Sequence, residues 1–276
     1  MRLGYNTNGL AHHDLLQAIR LLAEIGYQSV AITIDHGALN PFDDRWRSQL
    51  MQVKAALDGF GLRSVVETGG RYLLDPELKH EPTLVSSDAA IRQRRIEFYR
   101  HAIEIASFLQ SDCVSLWSGV VRDGASESTV WPRLVGGLQE VCGYAAEQGV
   151  MIGFEPEPGM FVDTMARFQE LVDRVEHPHL QLTLDVGHLH CQGETPLADQ
   201  IRKWGPQIIN VHLEDMRVGL HEHLMFGEGE IDFSLVLAAL RDADYQGGVH
   251  VELSRHSHDG PAAARTAWKF LRQVEI

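Results

Sequence analysis

Four residues of types that hold divalent cations stand at corresponding places along the chain: Glu155, Asp185, His212 and Glu252. Each closes an apolar run. Residues 150–154 (VMIGF) lead into Glu155, with Pro156, Glu157 and Pro158 behind it, and the run at 182–184 stops at Asp185, with His188 three residues on. Residues 208–211 end in His212, and 248–251, which carry His250, end in Glu252. Short apolar runs with such boundaries read as buried strands. Their intervals of about thirty to forty residues are those of one βα unit. Two Glu, one Asp and one His make an oxygen-rich donor set suited to Mg²⁺, Mn²⁺ or Co²⁺, with Zn²⁺ also compatible. Taken singly, each has an ordinary explanation, since an acid behind a strand caps the next helix and a strand His can be a hydrogen-bonded core residue. Four together at strand ends would repel unless a cation compensated them.

The elements that must position them alternate throughout. Strands are expected at 2–5, 29–34, 62–66 and 113–117, ahead of the four runs already described. Apolar residues at helical spacing mark helices at 14–26, 45–59, 90–109, 129–149, 163–175, 197–204, 233–243 and 261–274. Residues 71–87 (RYLLDPELKHEPTLVSS) lack periodicity and read as a long functional loop over one end of the domain. Strict β/α alternation demands a mostly parallel sheet. Eight units in 276 residues, without a break in composition, point to one (β/α)₈ TIM barrel spanning 1–276. A doubly wound open sheet is the alternative, but no GxGxxG follows a strand, and in a barrel all four strand ends share one face.

Composition narrows the function classes. A chain that is 44% hydrophobic and 22% charged is an ordinary globular protein. Its formal charge of −14 opposes a polyanionic ligand, so nucleic acid is not expected. The three cysteines, Cys113, Cys142 and Cys191, have no finger or disulfide-framework spacing and fit a reducing compartment; the expected location is the cytoplasm. No segment has the apolar length of a membrane span or a secretory signal.

The segments IGFEPEPG, LTLDVGH, INVHLED, HEHLMFGEGEIDF (221–233) and VHVELS resemble the xylose isomerase-like TIM-barrel superfamily, which includes sugar epimerases such as D-tagatose 3-epimerase, hydroxypyruvate isomerases, inosose dehydratases and endonuclease IV. The likeness covers essentially the whole chain, and LDVGH and the HxHxxxGEGxIDF run are its most specific parts. It implies that Glu155, Asp185, His212 and Glu252 hold one divalent metal, and that the two Glu act as acid/base catalysts on a sugar, keto-sugar or polyol. His188 matches a family His that contacts substrate oxygens in epimerases and a second metal in the nuclease branch. Arg217 resembles a family Arg that binds substrate hydroxyls or phosphate. His221 and His223, two apart on an extended segment, would point the same way into the pocket, where they would hold substrate or a second metal. In endonuclease IV that stretch supplies an Asp and a His, and His221 stands in the Asp position. Trp117 is a candidate for stacking on a sugar face, and Asn6 and Asn8 are ambiguous.

Two departures limit the transfer. Epimerases usually carry a further Glu six residues after the first metal Glu, where this chain has Phe161, with Glu157 and Asp163 the nearest acids. The runs near Glu67 and Trp117 lack the nuclease's histidines, so a three-zinc site is not expected. The expected activity is therefore a metal-dependent isomerase or epimerase, or a related dehydratase. An endonuclease IV-like phosphodiesterase and a non-catalytic sugar-binding barrel are the alternatives. Family members form dimers or tetramers, which implies a homo-oligomer here.

Overall fold

In chain order the elements are β1 (Arg2–Asn6), α1 (Leu15–Ile25), β2 (Ser29–Thr33), α2 (Trp46–Phe60), β3 (Arg63–Glu67), α3 (Ala89–Leu109), β4 (Val114–Leu116), α4 (Glu127–Glu147), β5 (Ile152–Phe154), α5 (Met165–Val175), β6 (Leu180–Asp185), α6 (Val186–Cys191), α7 (Leu197–Trp204), β7 (Ile208–Leu213), β8 (Asp215–Arg217), β9 (Leu220–Leu224), α8 (Phe233–Asp242), β10 (Gly248–Val251) and α9 (Gly260–Val274). They come from a computed structural model that describes residues 1–274. The last two positions of the expected 1–276 domain lie outside the described residues. Helix boundaries follow local chemistry. Asp14, Asp88 and Asp232 each accept two backbone N–H bonds at the starts of α1, α3 and α8, and Gly26 ends α1 at φ +115°.

Among the described residues, eight parallel strands close in the order β1-β10-β7-β6-β5-β4-β3-β2, the expected (β/α)₈ barrel. The hairpin β8–β9 is an addition to that plan, inserted between β7 and α8. β7 also runs two residues beyond the expected strand, because Leu213 continues the buried alternation. His212 therefore lies within β7, in register with Asp185 on β6 and His250 on β10. No helix among the described residues is long and apolar enough to cross a membrane.

The apolar core lies mainly between strands and helices, and the inside of the barrel is different. A small plug of Ala31, Val65 and Cys113, with Met151 and Ile209, is apolar. The rest of the interior is hydrogen-bonded. Thr183 Oγ1 donates to Ser115 Oγ at 3.0 Å, and His250 lies between Asn210 Oδ1 and Ser29 Oγ, 2.8 Å from each. Burial, and then the charge of His212, pushes the His250 imidazole down to about 3, so it is neutral and donates from Nδ1 to Asn210. Glycine makes room for this ring on two sides, since a Cβ at Gly4 or Gly248 would run into it.

The segment 71–87 is irregular, as expected, but it is tied down from α3. Arg95 is fully buried and donates to three carbonyls, those of Pro82 (2.5 Å), Thr68 (3.3 Å) and His80 (2.5 Å). Its guanidinium also lies 5.0 Å from the centre of the Trp117 ring.

Two alanine substitutions separate crowding from helix propensity. Gly4→Ala must displace the His250 ring and is expected to lower stability by about 1–3 kcal/mol in urea unfolding. Gly143→Ala, on α4 with nothing within 4 Å, is expected to be neutral or to stabilise. Equal effects would show that the His250 ring is not confined.

Candidate active site

Asp185 does two jobs at the end of β6. Its Oδ1 accepts the His188 backbone N–H at 2.8 Å and caps α6, while Oδ2 is buried without a hydrogen-bond partner. The next residues fold this way because position 187 is glycine: any Cβ there would collide with the carboxyl of Glu214, which packs beneath α6. Glu214 is pushed well up by burial and by the neighbouring Asp185 charge, toward the protonated form.

The orphaned Oδ2 faces the residues the sequence pairs with it. Glu155, Asp185, His212 and Glu252 each offer one ligand atom, and these atoms lie within 4.8 Å of one another. His212 Nδ1 is 3.0 Å from Glu155 Oε1, 2.9 Å from Glu252 Oε2 and 4.0 Å from Asp185 Oδ2. On the far side of the ring, Nε2 is 2.9 Å from Glu67 Oε1. A carboxylate accepting from Nε2–H directs the Nδ1 lone pair at the cluster, the usual arrangement behind a metal-bound imidazole. Glu67 is held in turn by Asn210 Nδ2 at 3.1 Å. Glu252 Oε1 accepts from Asn8 Nδ2 at 2.8 Å. Three carboxylates and one imidazole, nearly sealed from water and including an unpartnered oxygen, fit a hard divalent ion.

The charges of the cluster answer one another. Burial, with the Glu252 and Asp185 charges, pushes Glu155 up to about 8 against the pull of His212. Burial opposes the charged form of His212, but Glu67, Glu155 and Glu252 outweigh it and hold the imidazole well above its ordinary value. Burial likewise works against the Asp185 and Glu252 carboxylates. His188 and His212 pull Asp185 below its usual range, and His212 pulls Glu252 below its own. Protons on His212 and Glu155 thus supply the positive charge that an ion would otherwise bring.

The other expected residues divide. His188 is buried and donates from Nδ1 to the Pro156 carbonyl at 3.2 Å. Burial pushes its imidazole down, and its Nε2 shares a hydrogen bond with His221 Nε2 at 3.1 Å. His221 and His223 both face inward from β9, and with His188 they form a second group of potential ligand atoms within 4.8 Å. His223 Nδ1 donates to the Glu252 carbonyl at 3.0 Å. Trp117 is buried and lines the cavity. Arg217 does not line it: exposed, it donates to the Glu228 carbonyl at 2.8 Å. Its cross-strand partner is Leu220, and residues paired across a ladder share a face, so Arg217 points away from His221 and His223.

The GEGEID run supports this hairpin. Asp215 accepts the backbone N–H groups of Gly227 and Ile231, and Gly229 approaches it too closely for any side chain. Sequence reasoning missed Glu67, Asn210 and Glu214 as supports of the cluster. For Glu67 the signal was present, an acid at the end of the third strand run; nothing distinguishes Asn210 or Glu214 from ordinary strand and loop residues. The cavity above the cluster measures about 270 Å³, and Glu157, His80, Arg71 and Lys79 also line it.

Known proteins share this chain's sequence pattern and fold. A family profile described as xylose isomerase-like TIM barrel matches residues 19–274. An uncharacterized protein of Methanocaldococcus jannaschii is 30% identical over 199 residues, covering 66% of this chain and 68% of that one. L-ribulose-5-phosphate 3-epimerase UlaE of Shigella flexneri is 24% identical over 251 residues, covering 90% and 85%. Among solved structures, D-allulose 3-epimerase from Methylomonas sp. superposes with a TM-score of 0.77 at 21% identity, covering 99% of this chain and 98% of that one.

Elemental analysis after reconstitution should find about one divalent ion per chain, lost in Asp185→Asn. Because an ion must displace protons from Glu155 and His212, its apparent affinity should weaken as pH falls below about 8, roughly tenfold per unit for each proton displaced. An affinity flat from pH 8 to pH 6 would contradict this charge assignment. Glu67→Gln touches no ligand atom of the cluster except through His212, and chelator competition should show about 10- to 100-fold weaker ion binding.

Proposed function

This chain belongs to the xylose isomerase-like TIM-barrel family, and from that membership and the cavity we propose that it is a divalent-metal-dependent isomerase or epimerase of a sugar or keto-sugar. The observation that carries this reading is the convergence of Glu155, Asp185, His212 and Glu252 around one point at the base of the cavity, which Glu155, His212 and Glu252 line. A bare binding pocket has no need of converging buried acids. The likeness to an L-ribulose-5-phosphate 3-epimerase over 90% of the chain supports the same reaction class.

These four residues would hold the ion, and the oxygen-rich set favours Mn²⁺, Co²⁺ or Mg²⁺. When bound, it supplies Lewis acidity that polarises a carbonyl and its adjacent hydroxyl and lowers the cost of charge left by proton removal. The chain does the rest. Glu155 and Glu252 extend from strands on either side of β6 and β7, so one carboxylate takes the proton next to the carbonyl while the other returns a proton. Asn8 donates to Glu252 Oε1 and so orients this carboxylate, with Oε2 turned to the cluster. His221 and His223 present ring nitrogens to substrate oxygens, His188 stands behind them through its bond to His221, and Trp117 forms an apolar wall that excludes water. The hydrogen bond between His188 and His221 satisfies His188 within the protein, so one ion suffices for this scheme.

Glu155→Gln and Glu252→Gln should each slow exchange of the substrate's carbon-bound hydrogen with solvent deuterium by about 10²- to 10⁴-fold. Full exchange in both variants, on every ketose the parent accepts, would refute the mechanism.

A further inference from the structure

The cavity is polarised. Its base carries the acidic cluster, whereas two cations on the segment after β3, Arg71 and Lys79, reach its lining. A third lining cation, Arg255, is neutralised by Glu222 at 3.3 Å. Arg71 donates to a carbonyl, that of Asn8, at 3.4 Å. Neither Arg71 nor Lys79 pairs with a carboxylate among the described residues.

This pair is held in place. Arg95 grips the carbonyls of Thr68 ahead of Arg71, and of His80 and Pro82 behind Lys79, so both ends of the intervening segment are anchored to one buried guanidinium. Three cations surround His80: burial, then Lys79, Arg95 and Arg71, push its imidazole down to about 3 against the pull of Glu252. Asn8 joins the two poles, its carbonyl accepting from Arg71 and its side chain donating to Glu252. One residue therefore bridges the cations and the candidate acid/base group.

We infer that Arg71 and Lys79 form a subsite for an anionic group, phosphate or carboxylate, at the end of the substrate remote from the reacting carbon, and that they select an anionic keto-sugar over its neutral counterpart. The inference rests on the isomerase or epimerase reading of the same cavity. A chain with 38 acidic and 24 basic side chains repels anions at long range. Within a Debye length of about 8 Å the near charges dominate, and charge-assisted bonds to a phosphate or carboxylate are the strongest these two cations can make. Sugar hydroxyls would leave both cations uncompensated.

The test measures equilibrium binding to the ion-loaded protein through Trp fluorescence, with ribulose, ribulose 5-phosphate, a 2-keto-aldonate of the same length, and inorganic phosphate as probes. At least one anionic sugar should bind about tenfold or more tightly than ribulose, an advantage that shrinks with added salt. Whether the phosphate or the carboxylate holds the advantage identifies the group. Lys79→Met and Arg71→Met should each reduce the ratio of anionic to neutral affinity by about tenfold. A merely structural role would weaken both ligands together and leave the ratio unchanged, which would overturn the inference. Equal affinities in the parent protein, or no binding of any anionic probe, would do the same. Binding is read without turnover, so failure of every sugar to exchange hydrogen would remove the epimerase reading while the ratio still decided this one.

Discussion

Everything in the upper half of the barrel depends on keeping two buried carboxylates and a third, half-buried one beside one imidazole. At an effective dielectric of about 20, two unit charges 4 Å apart repel by roughly 4 kcal/mol, so Glu155, Asp185 and Glu252 cannot all remain ionised without compensation. His212 answers that demand from the middle of the group, its Nδ1 about 3 Å from two of the carboxylates. Parallel strands place in-register residues about 4.8 Å apart, and the pairing of Asp185 with His212 uses that spacing directly. The acids that follow β5 and β10 then need only turn inward. Such a group is stable in two conditions, with protons shared among its members or with a cation in their place.

Support for His212 passes down the inside of the barrel. Glu67 takes Nε2–H, Asn210 holds Glu67, His250 holds Asn210, and Ser29 closes the series. A barrel interior is ordinarily filled by branched apolar side chains. Here the polar series leaves only a small apolar plug, and stability has moved to the layer between strands and helices. A buried polar network is worth having only when each member is satisfied. That requirement accounts for glycine at positions 4 and 248, where any side chain would push His250 out of line.

The alternation of apolar runs and helical stripes was legible in the sequence, and with it the barrel and the four converging residues, because strand ends are marked by an abrupt change of polarity. What supports them was not. Asn210 and His250 lie inside strands, where a polar residue facing the barrel axis looks the same as one facing a helix. Arg217, His221 and His223 sit within seven residues of one another, and only the cross-strand pairing of β8 and β9 sends the histidines inward and the arginine out. Arg95 belongs to a charged stretch of α3 that reads as solvent-facing, yet it is the residue that fixes the loop after β3. Tertiary contacts decided each of these positions.

The place of the missing acid shows how the same strand ends can serve another substrate. The resemblance to sugar epimerases implies a further Glu six residues after Glu155; Phe161 occupies that position and turns away, packing on Trp131 at 4.9 Å with Arg167 over its face. An acid is nonetheless present in the cavity. Glu157, two residues after Glu155, brings its carboxyl within 3.8 Å of both His188 Nε2 and His221 Nε2. Moving the acid four residues back along the turn after β5 changes which part of the cavity it meets while leaving Glu155, Asp185, His212 and Glu252 untouched. The cations Arg71 and Lys79 likewise belong to a loop, not to a strand end. In this chain, then, the acidic base of the cavity is set by strand register and its rim by the segments after β3, β5 and β7, so the rim can change without disturbing the charges of the cluster.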